Sequence, residues 1–278
     1  MVLYSYSKIN LTLLVNSKKR NGLHNIQSYF CLINLKDKIK IKKIKGKKDK
    51  IIFKGKFANL INKKNNSIKS LIGLLRKMSL LSSYYSIIID KKIPVFAGLG
   101  GGTSNAVSVM KYILKNRISN KNLDIIKKRI GSDFNLFFYK IGFLKNLNTI
   151  INMKIKQKLF FVLIQPSIKC STREIYSKVK SYSKKIIFSK KKISNKKELL
   201  NLFSNGKNDL QSIVEKKYPS LKKILTTISH QKGCCFSRIT GSGSVCYGLF
   251  ADQNSARKAF IKLKAKYPKF WISLAKTV

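Results

Sequence analysis

Residues Ile93–Asn105 read IPVFAGLGGGTSN, with four of the chain's 15 glycines between positions 98 and 102 and two hydroxyl residues directly after them. An apolar run of strand composition, YYSIIID, precedes the stretch, and Ala106, Val107, Val109, Met110, Ile113 and Leu114 follow on one helical face. The spacing predicts a strand, a glycine loop and a helix beginning near Ser104. Such a loop is physically a cradle for an anion. Without Cβ atoms, successive backbone N–H groups can converge on one oxygen-rich group, and the helix start adds unpaired N–H groups and a positive dipole end. No Gly-Lys-Ser/Thr follows, so this is not a Walker A loop, and Thr103 stands where a Rossmann fingerprint needs its third glycine. The glycines alone would also suit a tight turn that holds no ligand.

A chain of 278 residues can hold one large domain or two ordinary ones, and 44% hydrophobic residues is enough for a true core. The charge is abnormal: 59 Lys+Arg against 10 Asp+Glu, formally +49. A nucleic-acid surface would cluster its basic residues and interleave aromatics or arginine. Here lysines run along almost the whole chain, as in KDKIKIKKIKGKKDK, INKKNNSIKS and SKKKISNKKE, and arginine is scarce. Enrichment in Lys, Ile and Asn together reads as coding bias, with most of the charge on solvated surface. It still draws anionic ligands inward.

The five cysteines, Cys31, Cys170, Cys234, Cys235 and Cys246, form no C-x-x-C pair and no metal-ligand spacing. They are expected to be reduced thiols in a cytoplasmic protein, and no metal-ligating set is expected. The charge-free run Ile93–Met110 is too polar to span a bilayer, and the N-terminus lacks the pattern of a signal peptide. No membrane partner is expected.

Lysine alternates with Ile or Phe over residues 36–56, which predicts strands with one apolar and one basic face. Ile68, Leu71, Ile72, Leu75 and Met78 mark a helix, and another is expected over residues 123–130, ending at Gly131. A lysine-rich link over residues 153–158 predicts a boundary, giving domains 1–155 and 156–278. In the second, LFFVLIQP predicts a buried strand and residues 177–197 a helical or loop region. A helix from about Asp209, two strands around a turn in SRITGSGSVCYGLF and a closing amphipathic helix in SARKAFIKLKAKY complete it.

Five further stretches, SKINLTL, RNGLHNIQSYF, GSDFNLFF, NDL and ITGSGSVCYGLF, lie in order around PVFAGLGGGTSNA. This set resembles the GHMP kinase superfamily over roughly residues 7–250. The resemblance implies an α+β, two-domain fold with its active site in the cleft between domains. It also implies ATP-dependent phosphorylation of a small alcohol, with Mg²⁺ expected alongside ATP. Within the superfamily the set is most similar to the branch acting on a cytidine-diphosphate-linked methylerythritol, on a route to isoprenoids. Mevalonate and homoserine remain open as alcohols, and so does a basic nucleic-acid-binding protein on a relict kinase scaffold.

By the same resemblance, Lys8 and Asp133 are the catalytic pair. Asp133 would take the proton of the attacking hydroxyl, with Lys8 as its cationic partner. Outside the motif, Asp133 would read as a turn cap and Lys8 as one surface lysine among dozens. Pro94, Gly98, Leu99, Gly100, Gly101, Gly102, Thr103 and Ser104 would hold the nucleotide, Thr103 and Ser104 being the hydroxyls nearest any magnesium. Asn10, His24, Tyr176, Gly241 and Ser242 would contact the substrate, His24 and Tyr176 at a cytosine ring, with Gly243 and Ser244 completing the third motif. Two residues depart from the pattern: Leu23 replaces a stacking tyrosine and Asn135 a proline. The partner is expected to be a small molecule, with no specific nucleic acid, and the chain a monomer or weak homodimer.

Overall fold

The computed structural model describes residues 1–20, 22–115, 117–188 and 195–278. Its first part carries strands β1 (Val2–Asn10), β2 (Leu14–Lys18), β3 (His24–Ile44) and β4 (Lys50–Lys54), then helix α1 (Ser67–Lys77) and β5 (Tyr84–Asp90). Helices α2 (Gly101–Leu114) and α3 (Asn120–Ile130) follow, then β6 (Ile141–Asn146), β7 (Thr149–Asn152) and β8 (Phe160–Gln165). The remainder is α4 (Thr172–Ser177), α5 (Lys196–Ser204), α6 (Gln211–Lys217), α7 (Pro219–Ser229), β9 (Cys234–Ile239), β10 (Cys246–Phe250), α8 (Gln253–Lys266) and β11 (Trp271–Lys276). Of the region expected as helix or loop over 177–197, residues 189–194 lie outside the described residues, and α5 begins within its last two positions. No helix among the described residues is long and apolar enough to cross a membrane.

Two units share these elements, each discontinuous in sequence. The first comprises Met1–Lys8, Leu35–Val95 and Gly100–Phe138. In it β4 runs parallel to β5, and β5 pairs antiparallel with the second half of β3, from Lys38 opposite Asp90 to Ile44 opposite Tyr84. The lysine–isoleucine alternation is resolved here: Ile39 and Ile41 are buried, while their lysine neighbours face outward or sit at the margin. Helix α1 packs on α2 and α3, and turns Ile68, Leu71, Ile72 and Leu75 inward. Its start is set by Asn66, whose side chain accepts the Lys69 N–H at 3.1 Å.

The second unit comprises Ile9–Asn34, Phe96–Leu99 and Tyr139–Val278. There the first half of β3 pairs antiparallel with β2 and β6, and β6 with β7. A separate antiparallel sheet has the order β11-β8-β10-β9. Its strands β8 and β10 are almost wholly buried, which explains their unbroken apolar sequences. Helix α7 covers β9 and β10, and α8 lies on β8 and β11.

Two substitutions in α1 separate packing from propensity. Leu71 is fully buried, and Leu71→Ala is expected to cost about 2–5 kcal/mol of unfolding free energy. Gly73 is exposed on the same helix, with open space where an alanine methyl would sit, so Gly73→Ala is expected to stabilise by about 1 kcal/mol. Urea denaturation of both variants measures the contrast.

Candidate active site

Three segments converge within the first unit. Asp37, buried on β3, accepts the backbone N–H groups of Lys92 at 2.7 Å and Ile93 at 2.8 Å, and so fixes the exit from β5. After Pro94 and the glycines, α2 starts at Gly101, with Gly100 as its N-cap in the left-handed conformation (φ 67°, ψ 21°). The helix thus begins three positions before the expected start near Ser104. Glycine's poor helix propensity hides this start in the sequence, and close packing enforces it. A Cβ at Gly101 would lie 2.9 Å from Ile93 Cγ2, and one at Gly100 would lie 2.7 Å from Phe137 Cζ and 3.4 Å from Lys8 Cε.

The first turn of α2 therefore consists of Gly101, Gly102 and Thr103, whose N–H groups have no acceptor within the helix. Ser104 N–H is the first to bond back, to the Gly100 carbonyl at 2.9 Å. Beside this turn, Lys8 Nζ stands 3.1 Å from Asp133 Oδ2, with side-chain exposures of 3% and 30%. The ammonium is enclosed while the carboxylate can meet a small molecule. Asp133 directly precedes a 3₁₀ turn, Phe134–Phe138, anchored by buried Phe134 and Leu136. Lys111 of α2 holds that turn, donating to the Phe137 carbonyl at 3.1 Å and lying 4.2 Å from the Phe138 ring centroid. Thr103 Oγ1 is 3.4 Å from the position a Gly131 Cβ would take, so its hydroxyl sits by the same segment. The Ser104 hydroxyl does not face the cradle. It is buried, donates to the Tyr6 carbonyl at 2.6 Å and accepts from Ser5 Oγ at 2.7 Å.

In the second unit, Phe96–Leu99 packs on the 240–244 turn. Thr240 Oγ1 donates to the Gly98 carbonyl at 3.3 Å, and Ser244 N–H donates to the Phe96 carbonyl at 3.3 Å. Gly98 has φ +71°, and any Cβ there would collide with the Thr240 carbonyl oxygen. The Gly241 carbonyl accepts from Asn208 Nδ2 at 2.8 Å, and the Ser242 and Thr172 hydroxyls are 2.8 Å apart. Asn10 is buried; its Nδ2 donates to Ser28 Oγ at 2.8 Å and its backbone N–H to Thr240 Oγ1 at 3.0 Å. A cavity of about 360 Å³ opens among Phe96, Gly98, Lys169, Cys170, Ser171, Thr172 and Gly243.

His24 heads β3 in the same unit, and its ring lies 5.1 Å from that of Tyr176 on α4, tilted by 35°. Burial, and after it the charge of Lys18, hold the imidazole pKa below its ordinary value. Leu23 is about half exposed. The five cysteines are free thiols. Burial pushes Cys170 up to about 11 and Cys234 to about 12, and raises Cys31 and Cys246 further still.

The residues expected at the site thus fall into three local groups: Lys8, Asp133 and Gly100–Thr103; Gly98 and Asn10 around the 240–244 turn; and the His24–Tyr176 ring pair. Sequence reading missed Asp37, Lys91 and Asn105, which are buried together behind the cradle, and Thr172. Asn208 was visible only as part of NDL, and its role is to staple the 240s turn. Among the described residues, no three His, Cys, Asp or Glu side chains gather as a metal site.

The N-terminal domain pattern of the GHMP kinases matches residues 66–134, and their C-terminal pattern matches residues 188–269. Over 278 residues the chain is 36% identical to the 4-diphosphocytidyl-2-C-methyl-D-erythritol kinase of Pelagibacter ubique (strain HTCC1062), covering 99% of this chain and 98% of that relative. The chain belongs to the GHMP kinase family. A crystal structure of 4-(cytidine 5'-diphospho)-2C-methyl-D-erythritol kinase shares the GHMP kinase fold at TM-score 0.74 over 99% of both chains, with 19% identity. A mevalonate kinase crystal structure shares it at TM-score 0.66 and 16% identity, over 100% of this chain and 99% of that one. As a GHMP kinase, the chain uses ATP as its phosphate donor.

The packing behind Gly101 generates a specific expectation. Gly101→Ala should lower the melting midpoint and raise KM for ATP several-fold, because the new methyl presses on Ile93 and displaces the first turn of α2. Adding Ile93→Ala removes the colliding Cγ2 and should restore much of the ATP affinity. Obstruction of the phosphates themselves would leave the double variant as weak as the single one, and steady-state kinetics at varied ATP separates the two cases.

Proposed function

We propose that the chain transfers the γ-phosphoryl group of ATP to the 2-hydroxyl of 4-diphosphocytidyl-2-C-methyl-D-erythritol, in the methylerythritol phosphate route to isoprenoid precursors. The carrying observation is the Lys8–Asp133 pair beside the glycine cradle, in a chain 36% identical at nearly full length to a kinase of that name. Residues 1–155 are assigned to the N-terminal half of the family pattern and 156–278 to the C-terminal half, each containing one matched segment. The free thiols support a reducing, cytoplasmic setting.

Phosphoryl transfer needs positioning, charge neutralisation and a destination for the hydroxyl proton. The N–H groups of Gly101, Gly102 and Thr103, with the dipole of α2, hold the phosphates. Asp133, the more exposed partner, takes the proton from the attacking oxygen, and Lys8 offsets the negative charge gathering there. Magnesium on ATP is held largely by the substrate phosphates and waters, and the Thr103 hydroxyl beside the cradle is the protein oxygen that would reach it, which leaves Asp133 free for the proton. Arriving on the nucleotide, the ion would neutralise phosphate charge.

The His24–Tyr176 pair supports a pyrimidine end to the substrate. A neutral imidazole carries one donor and one acceptor nitrogen, as a cytosine edge requires, and the Tyr176 ring offers a stacking face. Leu23 gives apolar contact without a second ring. Mevalonate and homoserine leave this pair without a purpose, so turnover of ATP with the three alcohols in parallel tests the reading. Turnover with mevalonate or homoserine but not the cytidine compound would overturn it. Nucleic-acid binding, where measured, is expected to be blind to sequence and to collapse as salt rises.

Asp133→Asn is expected to lower kcat by roughly 10²–10⁴ while KM for ATP stays nearly constant. Near-full turnover in that variant would remove the proton-accepting role. The His24 shift also fixes a pH response. Its folded pKa lies below 6.5, so the ring is neutral at pH 7, and acid turns its acceptor nitrogen into a second donor. KM for the cytidine substrate should therefore rise as pH falls below about 6.5. His24→Gln, which cannot titrate, should flatten this rise.

A further inference from the structure

Behind the cradle, the first unit encloses a polar network with hardly any contact with water. Asp37 and Ser5 are 0% exposed, and Lys91, Ser104 and Asn105 are each 2% exposed. Lys91 Nζ forms an ion pair with Asp37 Oδ2 and donates to Asn105 Oδ1 at 3.0 Å. Asn105 Nδ2 donates to Asp37 Oδ2 at 2.9 Å and to Ser5 Oγ at 3.0 Å. Through Ser5 and Ser104 the network ends on the Tyr6 carbonyl, two residues before Lys8 on β1. On its other side, Asp37 Oδ1 holds the backbone that leads into the glycine loop. Lys91 Nζ is also 3.5 Å from the place a Gly101 Cβ would occupy.

Stability alone is a weak reason for such a group, because well-packed apolar residues usually replace a buried ion pair at little or no cost. Hydrogen bonds do something apolar contacts do not: they are directional, and here they join three segments at fixed separations. Ser104 and Asn105 lie in the turn that follows the cradle, Ser5 and Tyr6 lie on the strand carrying Lys8, and Asp37 grips the strand exit. We propose that Asp37, Lys91 and Asn105 are positioning residues for phosphoryl transfer, locking the first turn of α2 to the strand that carries Lys8. This rests on the reading of the cradle as the nucleotide site.

Asn105→Ala cuts the links to Ser5, Asp37 and Lys91 but leaves the Asp37–Lys91 ion pair and the helix-forming tendency of α2. Calorimetric titration with adenylyl imidodiphosphate and magnesium is expected to show a Kd about tenfold higher, the usual scale for losing a buried hydrogen-bond link. KM for ATP should rise with it, while KM for the cytidine alcohol stays within about twofold, a split that general loosening does not give. Asp37→Asn combined with Lys91→Met removes the charges together, retains an acceptor for the Lys92 and Ile93 N–H groups, and should show the same split. Wild-type nucleotide affinity in either folded variant, or equal losses toward both substrates, would reduce the network to a stabilising role. The titration needs no turnover, so failure of the assigned alcohol leaves this result intact. A wild-type chain that binds no nucleotide overturns the proposal along with the cradle.

Discussion

Ten carboxylates have to serve 59 basic side chains in this molecule, and that scarcity limits where a lysine ammonium can be enclosed, whereas the buried Arg238 guanidinium is held by backbone carbonyls. An ammonium shut away from water without a partner costs several kcal/mol, so each enclosed lysine claims an acid. Lys91 claims Asp37 and Lys8 claims Asp133. Other acids are spent on structure: Asp49 holds Arg76, Asp252 caps α8 and Glu198 braces the start of α5. Most of the remaining lysines are left to the solvent. The surplus charge is therefore a property of the surface, whereas the cradle and its neighbour depend on two carboxylates with different surroundings.

That difference in surroundings gives the two pairs different uses. Asp37 is surrounded by donors on every side, from two backbone N–H groups, Lys91 and Asn105, and has no spare capacity for a ligand. Asp133 keeps part of its surface open and faces one enclosed ammonium, which suits a group that must accept and release a proton. The same type of ion pair is thus sealed from solvent in one place and left open to a small molecule in another, and burial distinguishes them.

Local patterns survived the passage from sequence to structure well. The stripe of α1 and the closing helix follow from periodicity and the strand before the glycine loop from its composition, and the order of the motifs singled out Lys8 and Asp133, which stand 3.1 Å apart. What stayed hidden was long-range or context-dependent. Asp37 and Lys91 are 54 residues apart, and nothing in KDKIKIKK or DKKIPV distinguishes them from their neighbours. The early start of α2 at three residues disfavoured in helices comes from tertiary packing against Ile93 and Phe137. The hairpin of β6 and β7 and the terminal strand β11 were also missed, since short runs such as IGFLKN carry too little alternation to stand out. Thr172 had no signal of its own, because its value lies in meeting Ser242.

The thiols add a practical property. All five cysteines belong to the second unit, and Cys31 and Cys246 are wholly enclosed there. A thiol held far from ionising hardly reacts with an alkylating reagent, because the thiolate is the nucleophile. Each becomes reactive only when its surroundings part. The rate of alkylation at Cys31 and Cys246 is thus a built-in clock for transient opening around these two thiols, running without any engineered label, and the first unit contributes no sulfhydryl to the signal.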